Sequence, residues 1–200
     1  MLTAALLIAA GLLSAPALEL ELAGGLAHTL EENYGRTDYP ALVPAAQARA
    51  GLRLTDHLSI GATFLAVLRG ESPKSRGLAG GQAGFEAVAG FASVRLHTAG
   101  EARLWIEGGA GIGHLISLQS ETNDEHLPFG GRGAPAFRAA AGARTREGRA
   151  LFGVELAWVR WNGVEQPAGI GGSGSPVPAA SGLSTSALLL LLSIGLVAFP

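Results

Sequence analysis

The chain has 200 residues, a formal charge of -2 and no cysteine, with 48% hydrophobic but only 15% charged residues. Mean hydropathy is +0.32, and soluble domains carry roughly 25% charged residues. These values exclude a basic nucleic-acid binder, a disulfide-stapled scaffold and any thiolate metal or redox site.

Residues 1–17, MLTAALLIAAGLLSAPA, read as a secretory signal peptide. The apolar run Ala4–Leu13 is short for the ~20 residues of a spanning helix. Ala15-Pro16-Ala17 supplies a small-x-small cleavage pattern, which leaves a single mature unit, residues 18–200.

Alternation then dominates, the mark of strands with a different environment on each face. In Leu18–Leu30, the leucines at 18, 20, 22 and 26 oppose Glu19 and Glu21. Ala46–Leu54 sets alanines and leucines against Gln47, Arg49 and Arg53, and Leu58–Leu68 sets Leu58, Ile60, Phe64 and Leu68 against Ser59 and Thr63. Phe85–Leu96 begins with Phe85, Ala87, Ala89 and Phe91 against Glu86 and Gly90, and its phase reads as changing near Ser93, at a bulge. Arg103–Leu118 carries Leu104, Ile106, Ile112 and Ile116 against Arg103, Glu107 and three glycines, which make room for long arginines. Phe137–Ala143 has apolar odd positions against Arg138 and Arg144, and Ala150–Trp161 has Phe152, Val154, Leu156 and Trp158 against Glu155. The last run, Ala187–Phe199 within Ser184–Phe199, is too short to cross hydrocarbon as a helix but long enough as a strand. Its uniform apolarity leaves its facing open.

Eight segments result, and their connections alternate. Short links (Thr55–His57, Thr98–Glu101, Thr145–Arg149) interleave with polar links near 31–45, 69–82, 119–134 and 162–183. An up-and-down barrel in a membrane sorts its turns in this way. One face is apolar; the other balances Glu19, Glu21, Glu86, Glu107 and Glu155 with Arg49, Arg53, Arg103, Arg138 and Arg144, a lumen charge network in a barrel narrow enough for side chains to fill. The aromatics Phe85, Trp105, Phe137, Trp158, Trp161 and Phe199 fall near segment ends and are expected at the membrane interfaces.

On these features, and on hairpins such as Gly51–Phe64, the chain resembles the small eight-stranded outer-membrane proteins of the OmpA/OmpX type. The resemblance implies an all-β, antiparallel up-and-down transmembrane barrel in the bacterial outer membrane. Membrane lipids, lipopolysaccharide and the assembly machinery are its expected partners. A departure is Pro200, which follows Phe199 where such barrels end on an aromatic residue.

Catalytic signals are sparse. His28, His57, His97, His114 and His126 scatter without metal-ligand spacing, so no metal or cofactor is expected. His57-Leu58-Ser59 is similar to the His-x-Ser of outer-membrane lipid A deacylases, but no Asn follows Ser59. The acidic stretch Glu121, Asp124, Glu125 reads as a solvated loop, and Tyr34 and Tyr39 are the contact candidates of the first long link. The leading expectation is a monomeric, non-enzymatic protein with a structural or surface-interaction role through its long loops. The alternatives are a small porin-like channel, a lipid-modifying enzyme, and a secreted β-domain with a C-terminal sorting tail after the Gly169–Ser175 linker.

Overall fold

The computed structural model describes residues 16–30, 42–68, 84–119, 126–128, 133–166, 169–170, 176–177 and 180–199. Eight long strands form the barrel: β1 (Ala17–Leu30), β2 (Val43–Arg53), β3 (Leu58–Val67), β4 (Gly84–His97), β5 (Ala102–Gln119), β6 (Ala134–Glu147), β7 (Ala150–Gln166) and β8 (Ala180–Phe199). Each pairs antiparallel with its neighbours in sequence. β8 pairs with β1 from Leu18↔Phe199 to Leu30↔Ser186, which closes the ring. That seam overturns the sorting-tail alternative, because the apolar end is itself a barrel stave. His126–Pro128 extends beside the end of β5, and Gly169–Ile170 pairs with Pro176–Val177. The expected leader lies outside the described residues up to residue 15, and Ala17 is already in β1, opposite Arg53.

The register fixes the barrel's shape. A path from Leu18 through Leu52, Ile60, Val94, Gly108, Ala139, Trp158 and Leu188 returns to β1 at His28, a stagger of ten residues. With ~3.3 Å per residue and ~4.8 Å between strands, that stagger around eight strands tilts them by about 40° and sets a backbone radius of about 8 Å. Each residue then advances about 2.5 Å along the axis, so ~10 residues cover an apolar band ~25 Å tall.

Three tight connections share one rim: residues 54–57, 98–101 and 148–149. Gly100 and Gly148 take φ of 106° and 61° there, a left-handed backbone that glycine adopts without a Cβ penalty. Ala17 and Phe199 lie at the same rim, opposite residues 53 and 18. The longer links, 31–42, 68–83, 120–133 and 167–179, all leave from the other end.

Outward positions are large and apolar, including Leu22, Leu104, Ile112, Leu192 and Ile194, all more than half exposed. Inward positions are buried, so the usual sense of a globular core is reversed. β8 places Leu188, Leu190, Leu192, Ile194 and Leu196 outside and Ala187, Leu189, Leu191 and Val197 inside. Its facing is thus settled: both faces are apolar because the adjoining lumen is apolar too. β4 corrects the expected phase change. Its bulge lies between Glu86 and Ala87 rather than near Ser93. From there a single phase buries Ala87, Ala89, Phe91, Ser93, Arg95 and His97 and turns Val94 and Leu96 outward. Ala87, Ala89 and Phe91 looked lipid-facing because an apolar alternation does not say which side it faces.

The interior glycines serve mainly as cradles. A Cβ on Gly113 would lie 2.3 Å from the Trp161 indole nitrogen, and one on Gly142 would lie 2.5 Å from the Trp105 ring. One on Gly51 would lie 2.3 Å from the Arg49 guanidinium. The space for an arginine therefore comes from Gly51 on β2, whereas on β5 Gly113 makes room for a tryptophan and Gly111 backs onto the Gly90 backbone. Gly142→Ala is expected to destabilise the folded barrel by about 1–3 kcal/mol through overpacking. Gly24→Ala, with nothing among the described residues within 4 Å of its Cβ, is expected to be nearly neutral. Denaturant unfolding in detergent micelles, followed by heat-modifiable gel mobility, checks both.

Candidate functional site

The turn-side half of the lumen holds a compact cluster of arginines and glutamates. Every residue of it comes from an inward position, and the stagger brings different strands to the same height. Arg49 of β2 donates from Nε to Glu107 Oε2 at 3.0 Å and from Nη1 to Glu21 Oε1 at 3.3 Å. Arg95 of β4 repeats that bridge, Nε to Glu107 Oε2 at 2.8 Å and Nη1 to Glu21 Oε1 at 2.9 Å, with its guanidinium carbon 3.8 Å from the Trp105 ring centre. Arg138 of β6 donates to both Glu107 and Glu155. Gln47 ties the same group together, accepting from Arg138 at 3.1 Å and donating to Glu155 at 3.3 Å. Nearer the rim, Arg144 donates to Glu19 at 2.7 Å and to Glu21 at 3.0 Å, and Arg53 lies 3.9 Å from Glu19.

Glu19, Glu21, Glu107 and Glu155 face Arg49, Arg95, Arg138 and Arg144, all at most 8% exposed. The cluster is therefore neutral, as a site removed from water requires. An isolated buried charge costs several kcal/mol, and removing one member of a buried pair costs about 3–5 kcal/mol. Sharing each carboxylate among two or three arginines, with no lysine present, uses the planar donor fork of the guanidinium.

The structure thus brings together Glu19, Glu21, Arg49, Glu107, Arg138, Arg144 and Glu155, with Arg53 at the margin. Arg103 is at the margin too: half-buried at the rim, its Nε donates to the Gly100 carbonyl at 2.7 Å, bracing the β4–β5 turn beside the space it shares with Glu19 and Arg144. The side chain of Glu86 lies outside the described residues. Sequence reasoning missed Arg95, for which even spacing back from His97 through Arg95 and Ser93 was the available signal; Gln47 was placed on the polar face but not counted in the network.

The aromatic residues divide. Phe137 is 46% exposed on the outer wall, and Trp158 is half-buried on the same wall. Trp105 and Trp161 do not belong to an interfacial girdle: they are 5% and 0% exposed and point inward. Trp105 stacks under Arg95, and Trp161 seats against Gly113. Odd numbering on β5 and β7 puts both on the face that carries Glu107 and Glu155, a parity that outweighs their places near strand ends. The side chains of Phe85 and Phe199 lie outside the described residues.

Above the charged cluster the lumen turns apolar. Leu65, Val67, Phe91, Val159, Trp161, Leu189 and Leu191 fill it between alanines of several strands, all nearly fully buried. Below the cluster, Ala17, Leu151 and Val197 form a small apolar floor. The space bounded by Glu19, Arg53, Glu101, Arg103, Arg144, Arg146 and Leu151 has no room for a water.

Other candidates do not assemble. Ser59 is fully buried and its Oγ accepts from Arg49 Nη2 at 3.3 Å, while the exposed His57 has Nδ1 3.0 Å from the His97 carbonyl. Each has another partner, so the arrangement is not that of a nucleophile and its base. Among the described residues no three His, Asp or Glu side chains are grouped to hold a metal ion. Tyr34, Tyr39, Glu31, Glu32, Glu121, Asp124 and Glu125 lie outside the described residues.

No protein family matches the chain, and no curated protein does. Solved structures do. Neisserial surface protein A aligns at a TM-score of 0.57 and 10% identity over 92% of this chain and 97% of its own. The outer membrane protein OprG from Pseudomonas aeruginosa aligns at 0.56 and 11% identity over 92% and 99%. Ail, the attachment invasion locus protein of Yersinia pestis, solved with the heparin analogue sucrose octasulfate, aligns at 0.52 and 10% identity over 91% and 99%. The chain has the fold of the small eight-stranded outer-membrane barrels.

Glu107 accepts from Arg49, Arg95 and Arg138. Glu107→Gln should therefore leave the cluster with excess positive charge and lower unfolding stability by about 3–5 kcal/mol. Thr63→Ala, in the same lumen, should cost under ~1 kcal/mol, since the Thr63 hydroxyl has no hydrogen-bond partner among the described residues. Urea titration of the two variants and the wild type in one detergent tests the difference.

Proposed function

We propose that residues 18–200 form an integral protein of the bacterial outer membrane, delivered by the leader 1–17, with a structural or surface-interaction role exerted through its four long links. The observation that carries this reading is the division of the barrel into an exposed apolar wall and a filled, charge-neutral lumen. A wall of leucine, isoleucine and valine is stable only against hydrocarbon. Among the described residues, paired charges fill the lower lumen and Leu65, Phe91, Trp161, Leu189 and Leu191 fill the upper lumen, an arrangement that opposes ion passage. With the inside occupied, the surfaces left for function are the outer wall and the links. Membrane lipids, lipopolysaccharide and the assembly machinery are the partners this reading implies, and one copy closes the sheet without a second. The fold relatives support the location, and Ail bound to a sulfated sugar analogue is an instance of a small barrel engaging a ligand.

The same plug weighs against the porin-like alternative. Purified protein in planar bilayers is expected to give no discrete openings; reproducible unitary conductance would overturn the filled-lumen reading. Topology is testable separately because the chain has no cysteine. On intact cells a membrane-impermeant maleimide should label Thr37→Cys in the first long link. It should reach Asp56→Cys in the β2–β3 turn only after the outer membrane is permeabilised. The reverse pattern would refute the proposed orientation.

A further inference from the structure

The turn-side mouth of the lumen is charged out of balance. One space there is bounded by Arg53, Arg103, Arg144 and Arg146, with only Glu19 and Glu101 against them. Arg144 and Glu19 satisfy each other through two bonds, Nη1 to Oε2 at 2.7 Å and Nη2 to Oε1 at 3.2 Å. Both belong to the neutral cluster already described, and Arg53 reaches Glu19 only at 3.9 Å. Arg53, Arg103 and Arg146 therefore stand against Glu101 alone, a surplus of two positive charges. Asp56, Glu147 and Arg149 lie outside this group, exposed on the turns.

Two of the three arginines are built alike. Arg103 Nε donates to the Gly100 carbonyl at 2.7 Å, and Arg146 Nε donates to the Gly148 carbonyl at 2.7 Å. Both acceptors are the left-handed glycines of the tight turns, so each guanidinium is pinned to its hairpin through Nε. Their Nη atoms bond to no protein group among the described residues and are not buried. A guanidinium held in this way presents two parallel N–H donors, the arrangement that a carboxylate accepts as a pair. The backbone also sets the two side by side: Arg146 N donates to the Glu101 carbonyl at 3.1 Å, which draws the β6 arginine against the β4–β5 turn.

We infer that this mouth is a docking site for an acidic peptide segment presented from the periplasm. The free forks of Arg103 and Arg146 each take one carboxylate of the segment, and Arg53 adds charge from across the mouth. The inference rests on the outer-membrane placement proposed above, with the tight turns inside. Charge complementarity selects an anionic partner, and the spread of the donors selects its form. Arg53 and Arg103 stand three strands apart around the ring, about 15 Å between backbones at the radius derived above, with Glu101 among them. A compact dianion such as phosphate would meet Glu101 together with the arginines. Two carboxylates on an extended segment can take one fork each and leave Glu101 to water. The space behind the arginines has no room for a water, so the segment lies across the mouth and does not enter the lumen.

The test uses the full barrel in phosphatidylcholine nanodiscs, which carry no net charge and leave both rims open. It is titrated at low ionic strength into a peptide of alternating glutamate and glycine labelled with a neutral dye, and binding is read by fluorescence anisotropy. The wild type should bind this peptide, added salt should weaken the binding, and a glutamine–glycine peptide should not bind. Arg103→Gln and Arg146→Gln should each weaken it by about tenfold, and Arg103→Lys, which keeps the charge without the fork, should fall between. Glu101→Gln should strengthen it by about threefold, and it serves as the readout if the arginine variants do not fold. No binding by the wild type, or equal binding by the wild type and these variants, would overturn the site. Displacement of the peptide by an equal concentration of inorganic phosphate would overturn its assignment to spaced carboxylates. Failure of the wild type to insert would instead refute the membrane placement. Labelling of Asp56→Cys on intact cells would refute the orientation, and with it the periplasmic source of the segment.

Discussion

The closed ring, staggered by ten residues around eight strands, is the constraint from which the other features follow. Closure satisfies the backbone hydrogen bonds of the staves in a medium that offers none, and it fixes the internal width. Once the width is set, each inward side chain has a fixed volume to fill and little freedom to reach water. Large residues then need small ones across from them, as Trp161 needs Gly113 and Trp105 needs Gly142. Charges need opposite charges at the same height, and the stagger delivers these from strands remote in sequence, such as Glu19 and Arg144.

The ionic cluster and the apolar plug do different things. Buried ion pairs give little net stability, because desolvation offsets most of their mutual attraction. They are, however, costly to mismatch. Arg49 and Arg95 each span Glu21 and Glu107, and Arg138 spans Glu107 and Glu155, so a one-residue slip of any contributing strand would turn a guanidinium or a carboxylate into lipid. The cluster thus specifies register, while Leu65, Phe91, Leu189 and Leu191 supply contact area without directional demands.

Much of this was legible in the order of residues. Period-two alternation gave the strands, and alternation of short with long links gave the up-and-down order. Glutamates and arginines on one parity gave most of the cluster. What could not be read was the sign of a face where both parities are apolar. Ala87, Ala89 and Phe91 on β4 pass for lipid-facing residues, and Leu189 and Leu191 on β8 cannot be assigned a side, because half of the lumen is itself apolar. That ambiguity led to a bulge expected near Ser93 and hid Arg95. Trp105 and Trp161 were misassigned for a related reason: tryptophan favours membrane interfaces as a type, but parity decides its side within a strand.

The seam between β1 and β8 joins residues at opposite ends of the chain, with Leu18 opposite Phe199. No local pairing can stand in for it, and loop closure over so long a span is slow. Until the last stave arrives, β1 and whichever strand has come last expose unpaired amide edges together with a greasy wall, a combination prone to self-association. Both hazards end together when the seam forms, since closure pairs the two free edges with each other. A barrel of this kind has no stable partial form with fewer staves, because every shorter sheet keeps two such edges.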